Sequence, residues 1–97
     1  MKPSWENSQL LQNRIRDELL HEWDPIGIQK YPGAQDEYDS YVPDVCQLLS
    51  SRAMEGEILN YLWWLETQHM GLQGQRERTE VFAKRLLQIR DEVLASE

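Results

Sequence analysis

Cysteine is almost missing from this chain: Cys46 is its one thiol. That excludes an intramolecular disulfide and a zinc site built from cysteines, and it points to a reducing, cytoplasmic setting. Long apolar runs are missing as well. The longest charge-free run, ILNYLWWL at 58–65, is far too short to cross a bilayer, and the opening MKPSWENSQ lacks the apolar core of a signal peptide, so no membrane association is expected. No alternating strand pattern of useful length, internal repeat or low-complexity tract occurs, which argues against β and repeat architectures.

Positive charge is scarce, with 10 Lys and Arg against 17 Asp and Glu and a net charge of -7. Residues 17–44 hold Asp17, Glu18, Glu22, Asp24, Asp36, Glu37, Asp39 and Asp44 against Lys30 alone. That segment carries a charge equal to the whole chain's. Such a field repels phosphate backbones and attracts cationic surfaces, so no direct nucleic-acid binding is expected and a basic protein partner is favoured.

Two metal patterns are also lacking. Counted from Asp36 or Asp39, DEYDSY at 36–41 has neither the sixth-position Gly nor the twelfth-position Glu of an EF-hand calcium loop. HEWD at 21–24 lacks the second His of HExxH. No metal, cofactor or catalytic residue is assigned on these grounds.

What is present suits helices. A chain of 97 residues with 40% hydrophobic residues, four Trp and four Tyr fits one folded domain. Leu11, Ile15 and Leu19 repeat at i, i+4, with Trp23 continuing the row; Asn7 or Ser8 caps this first helix, over 7–22, and Asp24-Pro25 stops it. A second helix over 40–50 has Asp39 as N-cap, Pro43 in its first turn and Val42, Val45, Cys46 and Leu49 on one face. A third, over 54–70, carries Met54, Ile58, Tyr61, Leu62 and Leu65, with Gly71 at its C′ position. Trp63 and Trp64 lie off that stripe, so the third helix is apolar nearly all round and is expected at the centre. Phe82, Leu86, Ile89 and Val93 mark a fourth helix over 77–95. The fold class is all-α: a single-domain, four-helix bundle-like fold with a long ordered loop between the first and second helices.

That loop, within EWDPIGIQKYPGAQDEYDSY at 22–41, is longer than the usual helix connection, and such loops are commonly functional or packed down. Trp and Tyr beside acids resemble interface hot spots. Trp23, Asp24, Asp36, Glu37, Tyr38, Tyr41 and Asp44 are therefore the candidate partner-binding residues. Pro25, Gly27, Asp39, Glu66 and Gly71 are assigned structural roles as caps and loop formers. Glu66 falls on an apolar flank of its helix and needs a partner, an Arg of the fourth helix or backbone donors of the loop. His69 is expected to be a hydrogen-bonded structural histidine, and Cys46 a buried, inert thiol.

EWDPIG at 22–27, DEYDSY at 36–41 and ETQHMGL at 66–72 together resemble the YugE-like family of small bacterial proteins of unknown function. The resemblance covers roughly residues 10–72 and implies a small cytosolic helical domain. It marks Trp23, Asp24, Pro25, Ile26, Gly27, Asp36, Glu37, Tyr38, Asp39, Glu66 and Gly71 as pattern residues, and the chain departs from it around Ser51–Gly56. It names no activity.

The leading expectation is a non-enzymatic interaction protein that presents the 22–41 loop to a basic protein, in the manner of an immunity or inhibitor protein; self-association is left open. Two alternatives stand beside it. One is a small metal-dependent hydrolase in which Asp24, Asp36, Glu37, Asp39, Glu66 and His69 converge. The other is a phage-type accessory protein whose carboxylates mimic nucleic-acid charge.

Overall fold

The computed structural model describes residues 9–28, 30–34 and 36–96. The Asn7 or Ser8 cap lies outside the described residues. Four helices form, α1 (Gln9–Glu18), α2 (Val42–Ser50), α3 (Glu55–Trp64) and α4 (Arg76–Ser96), with no strand among the described residues. The radius of gyration, 13.1 Å, matches the value of about 13 Å expected for one compact unit of about 100 residues.

The i, i+4 row works as its spacing predicts: Leu11, Ile15 and Leu19 are fully buried and Trp23 nearly so. However, α1 does not reach residue 22 as a regular helix. After Glu18 the coil widens into a π-turn, Leu19–Trp23, closed by the Asp24 N–H donating to the Leu19 carbonyl at 3.0 Å. The third helix widens in the same way at Leu65–His69, where the Met70 N–H reaches the Leu65 carbonyl at 2.8 Å. Gly71 follows with φ 71°, at the C′ position expected of it.

Asp39 is not the N-cap of the second helix. Tyr41 holds that position, because a 3-10 turn, Asp39–Tyr41, sets Asp39 back from the helix's free N–H groups. Arg16 takes the Asp39 carboxylate instead, through bonds of 3.0 and 2.8 Å. The α2 stripe of Val42, Val45, Cys46 and Leu49 is buried as expected. The helix ends without glycine: Arg52 adopts φ 62° while the Ala53 N–H returns to the Leu48 carbonyl at 3.0 Å.

Met54 also departs from expectation. It precedes α3 and is 74% exposed, its N–H donating to the Glu57 carboxylate at 3.2 Å. Leu59 supplies burial that Met54 does not. Tyr61 is half-buried and its hydroxyl donates to Asp44 at 3.1 Å. Trp64 is 50% exposed, and Trp63 lies under the Arg76 guanidinium, 5.1 Å from the ring centroid.

The central helix is α4 rather than the third. It packs against α1, α2 and α3 and against the first π-turn. Its inner face explains why: Ala83 and Thr79, both fully buried, alternate with Phe82, Leu86, Ile89 and Val93, and small residues let neighbouring backbones approach. Of the two flanking tryptophans that suggested a central third helix, Trp64 faces outward and Trp63 is half-buried beside Gly74 and Arg76. α1 and α4 run antiparallel, tied by Arg14–Glu92 at 2.8 Å and Glu18–Arg85 at 3.1 Å.

Candidate functional site

The loop is organised from beneath by Asp24. This residue stands in left-handed geometry, φ 33° and ψ 58°, which Asp tolerates better than most residues because its short side chain bonds locally. Its Oδ1 accepts the Ile28 N–H at 2.8 Å and the Tyr38 hydroxyl at 2.8 Å. Tyr38 in turn accepts the Ile26 N–H at 3.0 Å. The Gly27 N–H closes a turn on the Asp24 carbonyl at 3.1 Å. One carboxylate therefore joins both ends of the loop. Burial and the neighbouring Asp24 carboxylate raise the Tyr38 phenol far above its ordinary range, so it stays a donor.

Beside this frame, the two π-turns bring Trp23 and Glu66 together. The Trp23 Nε1–H donates to Glu66 Oε1 at 2.7 Å, and the Thr79 hydroxyl donates to Oε2 at 2.7 Å. The expected partner of Glu66 was an arginine or a loop backbone; neutral donors from α4 and the first π-turn take that place. Trp23 is fixed further by Phe82, nearly parallel at 6.0 Å, and by Tyr38 and Tyr41 at 5.5 and 6.3 Å. Three elements thus share one buried polar contact. π-turns recur at functional sites because the wider coil re-aims the side chains that it carries.

Over Glu66 opens a cleft of about 240 Å³, lined by Glu22, Trp23, Pro25, Leu72, Gln73, Gly74, Gln75 and Arg78 as well as Glu66 itself. At its edge the Gly74 backbone, with φ 81°, passes so close to Trp63 that a Cβ there would meet the ring at 2.8 Å. The Arg78 guanidinium makes a long bond, 3.3 Å, to the Trp23 carbonyl. A shallower, mainly apolar groove of Val81, Phe82 and Arg85 continues from Glu22 and Arg78 along α4.

The partner-binding candidates therefore separate into two groups. Trp23, Asp24 and Tyr38 are only 3%, 7% and 2% exposed, so they frame the loop and present no contact surface. Asp36, Glu37 and Asp44 are exposed, and Tyr41 is half-buried. Ile26 and Tyr31, at 46% and 63%, are the exposed large hydrophobic side chains among the described residues of the loop, and neither is among the candidates expected from the sequence. Pro25 is half-buried and Gly27 lies at the surface with φ 77°.

His69 is not buried either: it is exposed, stacked on Trp64 at 5.6 Å and edge-on to Tyr41 at 5.9 Å. Cys46 is fully buried, which pushes its thiol up to about 11. Among the described residues no three His, Cys, Asp or Glu side chains gather where a metal ion would be held. Asp24, Asp39 and Glu66 go to separate partners, Tyr38, Arg16 and Trp23.

Thr79 and Arg78 escaped the sequence reading. Thr79 had a visible signal: it lies three residues before Phe82 on the apolar face, where a hydroxyl needs a buried acceptor. No model of a protein family, no curated protein and no solved structure matches the chain.

Proposed function

We propose that this protein is a non-enzymatic interaction module that presents its 22–41 loop to a basic protein surface, as an immunity or inhibitor protein does. The observation that carries the reading is the division of labour within the loop. Buried Asp24 and Tyr38 hold both of its ends, while Asp36, Glu37, Ile26 and Tyr31 are exposed on the segment so fixed. A preformed surface loses little conformational entropy on binding, and the acids would steer a cationic partner toward it. Among the described residues, neither Asp36 nor Glu37 forms an ion pair.

The contact set in this proposal is Ile26, Tyr31, Asp36, Glu37 and Asp44. Kinship with YugE-like proteins belongs to the same proposal: its pattern residues include Trp23, Asp24, Tyr38 and Glu66 of the frame and Ile26, Asp36 and Glu37 of the contact set, so relatives would share both. The hydrolase alternative needs its carboxylates to converge; among the described residues no three His, Cys, Asp or Glu side chains gather at a metal-holding distance. The charge-mimic alternative needs carboxylates spread in a row at phosphate-like spacing; Asp39 and Glu18 are paired with arginines and Asp24 is buried, which favours the loop reading.

The test is capture of cytosolic proteins on the full chain at low and high salt, followed by association kinetics with the captured protein. The D36K/E37K double variant is expected to slow association at low salt about tenfold or more and to matter little at high salt. A captured partner whose association is unaffected by this charge reversal would refute the reading.

A further inference from the structure

We propose that the cleft over Glu66 binds a small basic amino acid, with Glu66 and Glu22 receiving its cationic groups and Arg78 its carboxylate. The proposal does not depend on the loop's protein partner. Glu66 is 5% exposed, and each of its oxygens accepts one neutral donor. A carboxylate offers about four acceptor positions, so about two remain. Among the described residues no cation stands at ion-pairing distance from it. A carboxylate removed from water with neutral partners only is where an ammonium group gains most, through charge-assisted bonds that the protein's own residues leave unmade.

Arg78 supplies the opposite pole. Its exposed guanidinium has five N–H donors and, among the described residues, makes only the 3.3 Å bond to the Trp23 carbonyl. The cleft therefore offers two anions, Glu22 and Glu66, and one cation. Its complement carries two cationic groups and one carboxylate, which is the charge pattern of lysine or arginine. Gln73 and Gln75 add amides to the same wall.

Size agrees with the charge pattern. A space of about 240 Å³ holds roughly eight waters at ~30 Å³ each and falls below the ~300–1,000 Å³ of common drug-sized and cofactor pockets. A space of that size suits a ligand as small as an amino acid.

The experiment is a titration of the ¹⁵N-labelled full chain with L-lysine at constant ionic strength, read at the Trp23 indole N–H resonance and assigned with W23F. Cadaverine, which lacks the carboxylate, is the comparison ligand. A saturable shift is expected with lysine, weakened about tenfold in R78A, while cadaverine binds wild type and R78A alike. Because Arg78 is exposed, R78A should remain folded. E66Q, checked for folding by circular dichroism, should abolish binding of both ligands. The proposal is overturned if lysine gives no saturable shift, if R78A leaves lysine affinity unchanged, or if folded E66Q binds as wild type does.

Discussion

At the scale of single residues, Asp24 is the one whose loss reaches furthest. Asp24→Ala would orphan the Tyr38 hydroxyl and the Ile28 N–H, both bonded to its Oδ1, and would leave a left-handed backbone position to alanine. Unsatisfied buried donors cost about 1–3 kcal/mol each, so a loss of about 3 kcal/mol is expected in urea unfolding. Asp24→Asn, which keeps an acceptor and tolerates the geometry, should lose clearly less. A difference of under about 0.5 kcal/mol between wild type and Asp24→Ala would refute the frame. Sequence reasoning could single out Asp24 from its place before Pro25 and among acids. It could not see that Tyr38, fourteen residues later, returns to it, because loop pairing over that distance leaves no periodic trace. The same holds for Glu66: its apolar flank announced a buried partner, but the π-turn that delivers Trp23 to it breaks the 3.6-residue period on which the prediction rested.

At the scale of elements, two left-handed positions give predictions of opposite sign. Gly74, at φ 81° against the Trp63 ring, cannot take a Cβ without displacing the indole. Gly74→Ala should therefore lower stability by about 1–3 kcal/mol and disturb the cleft. Arg52 ends α2 at φ 62°, where glycine is the easier residue. Arg52→Gly should raise stability by about 0.5 kcal/mol after allowing for glycine's greater freedom in the unfolded chain. Thermal melts of both variants check the pair, since about 1 kcal/mol moves the midpoint of a domain this size by about 4–8 °C. The helices themselves were legible because burial follows their apolar spacing in α1, α2 and α4. Helix ends were less so: Asp39 reads as a cap from its residue type alone, but Arg16, more than twenty positions earlier in the chain, competes for the same carboxylate. Arg52 has no turn-forming signature at all.

At the scale of the whole molecule, burial of weak acids fixes the response to pH. The Cys46 thiol is raised from 9.0 to about 11, and the Tyr38 and Tyr61 phenols are raised by burial and by Asp24 and Asp44 respectively. All three are neutral when protonated, and the unfolded chain would lose these protons first. Their contribution to stability is therefore whole below about pH 9 and is lost as pH rises toward 11 and beyond. The melting temperature should fall between pH 8.5 and 10.5, and a buried-thiol variant, Cys46→Ala, should fall less steeply. Equal slopes for the two proteins would show that Cys46 is not a source of the effect. The all-α class and the general placement of the core were readable from composition and spacing. The choice of α4 as the central helix was not, because two tryptophans made the third helix look apolar all round and only packing shows which faces are covered.

The antiparallel pairing of α1 with α4 has a practical consequence. Arg14 meets Glu92 and Glu18 meets Arg85, whereas the Trp23 carbonyl meets Arg78 at the opposite end. At 1.5 Å per residue, the far end of α4 lies roughly 25 Å from Arg78 and beside the beginning of α1. A tag, dye or surface linker attached at the far end of α4 would leave well away from the cleft. Immobilised through that end, the protein would keep the cleft open to solution.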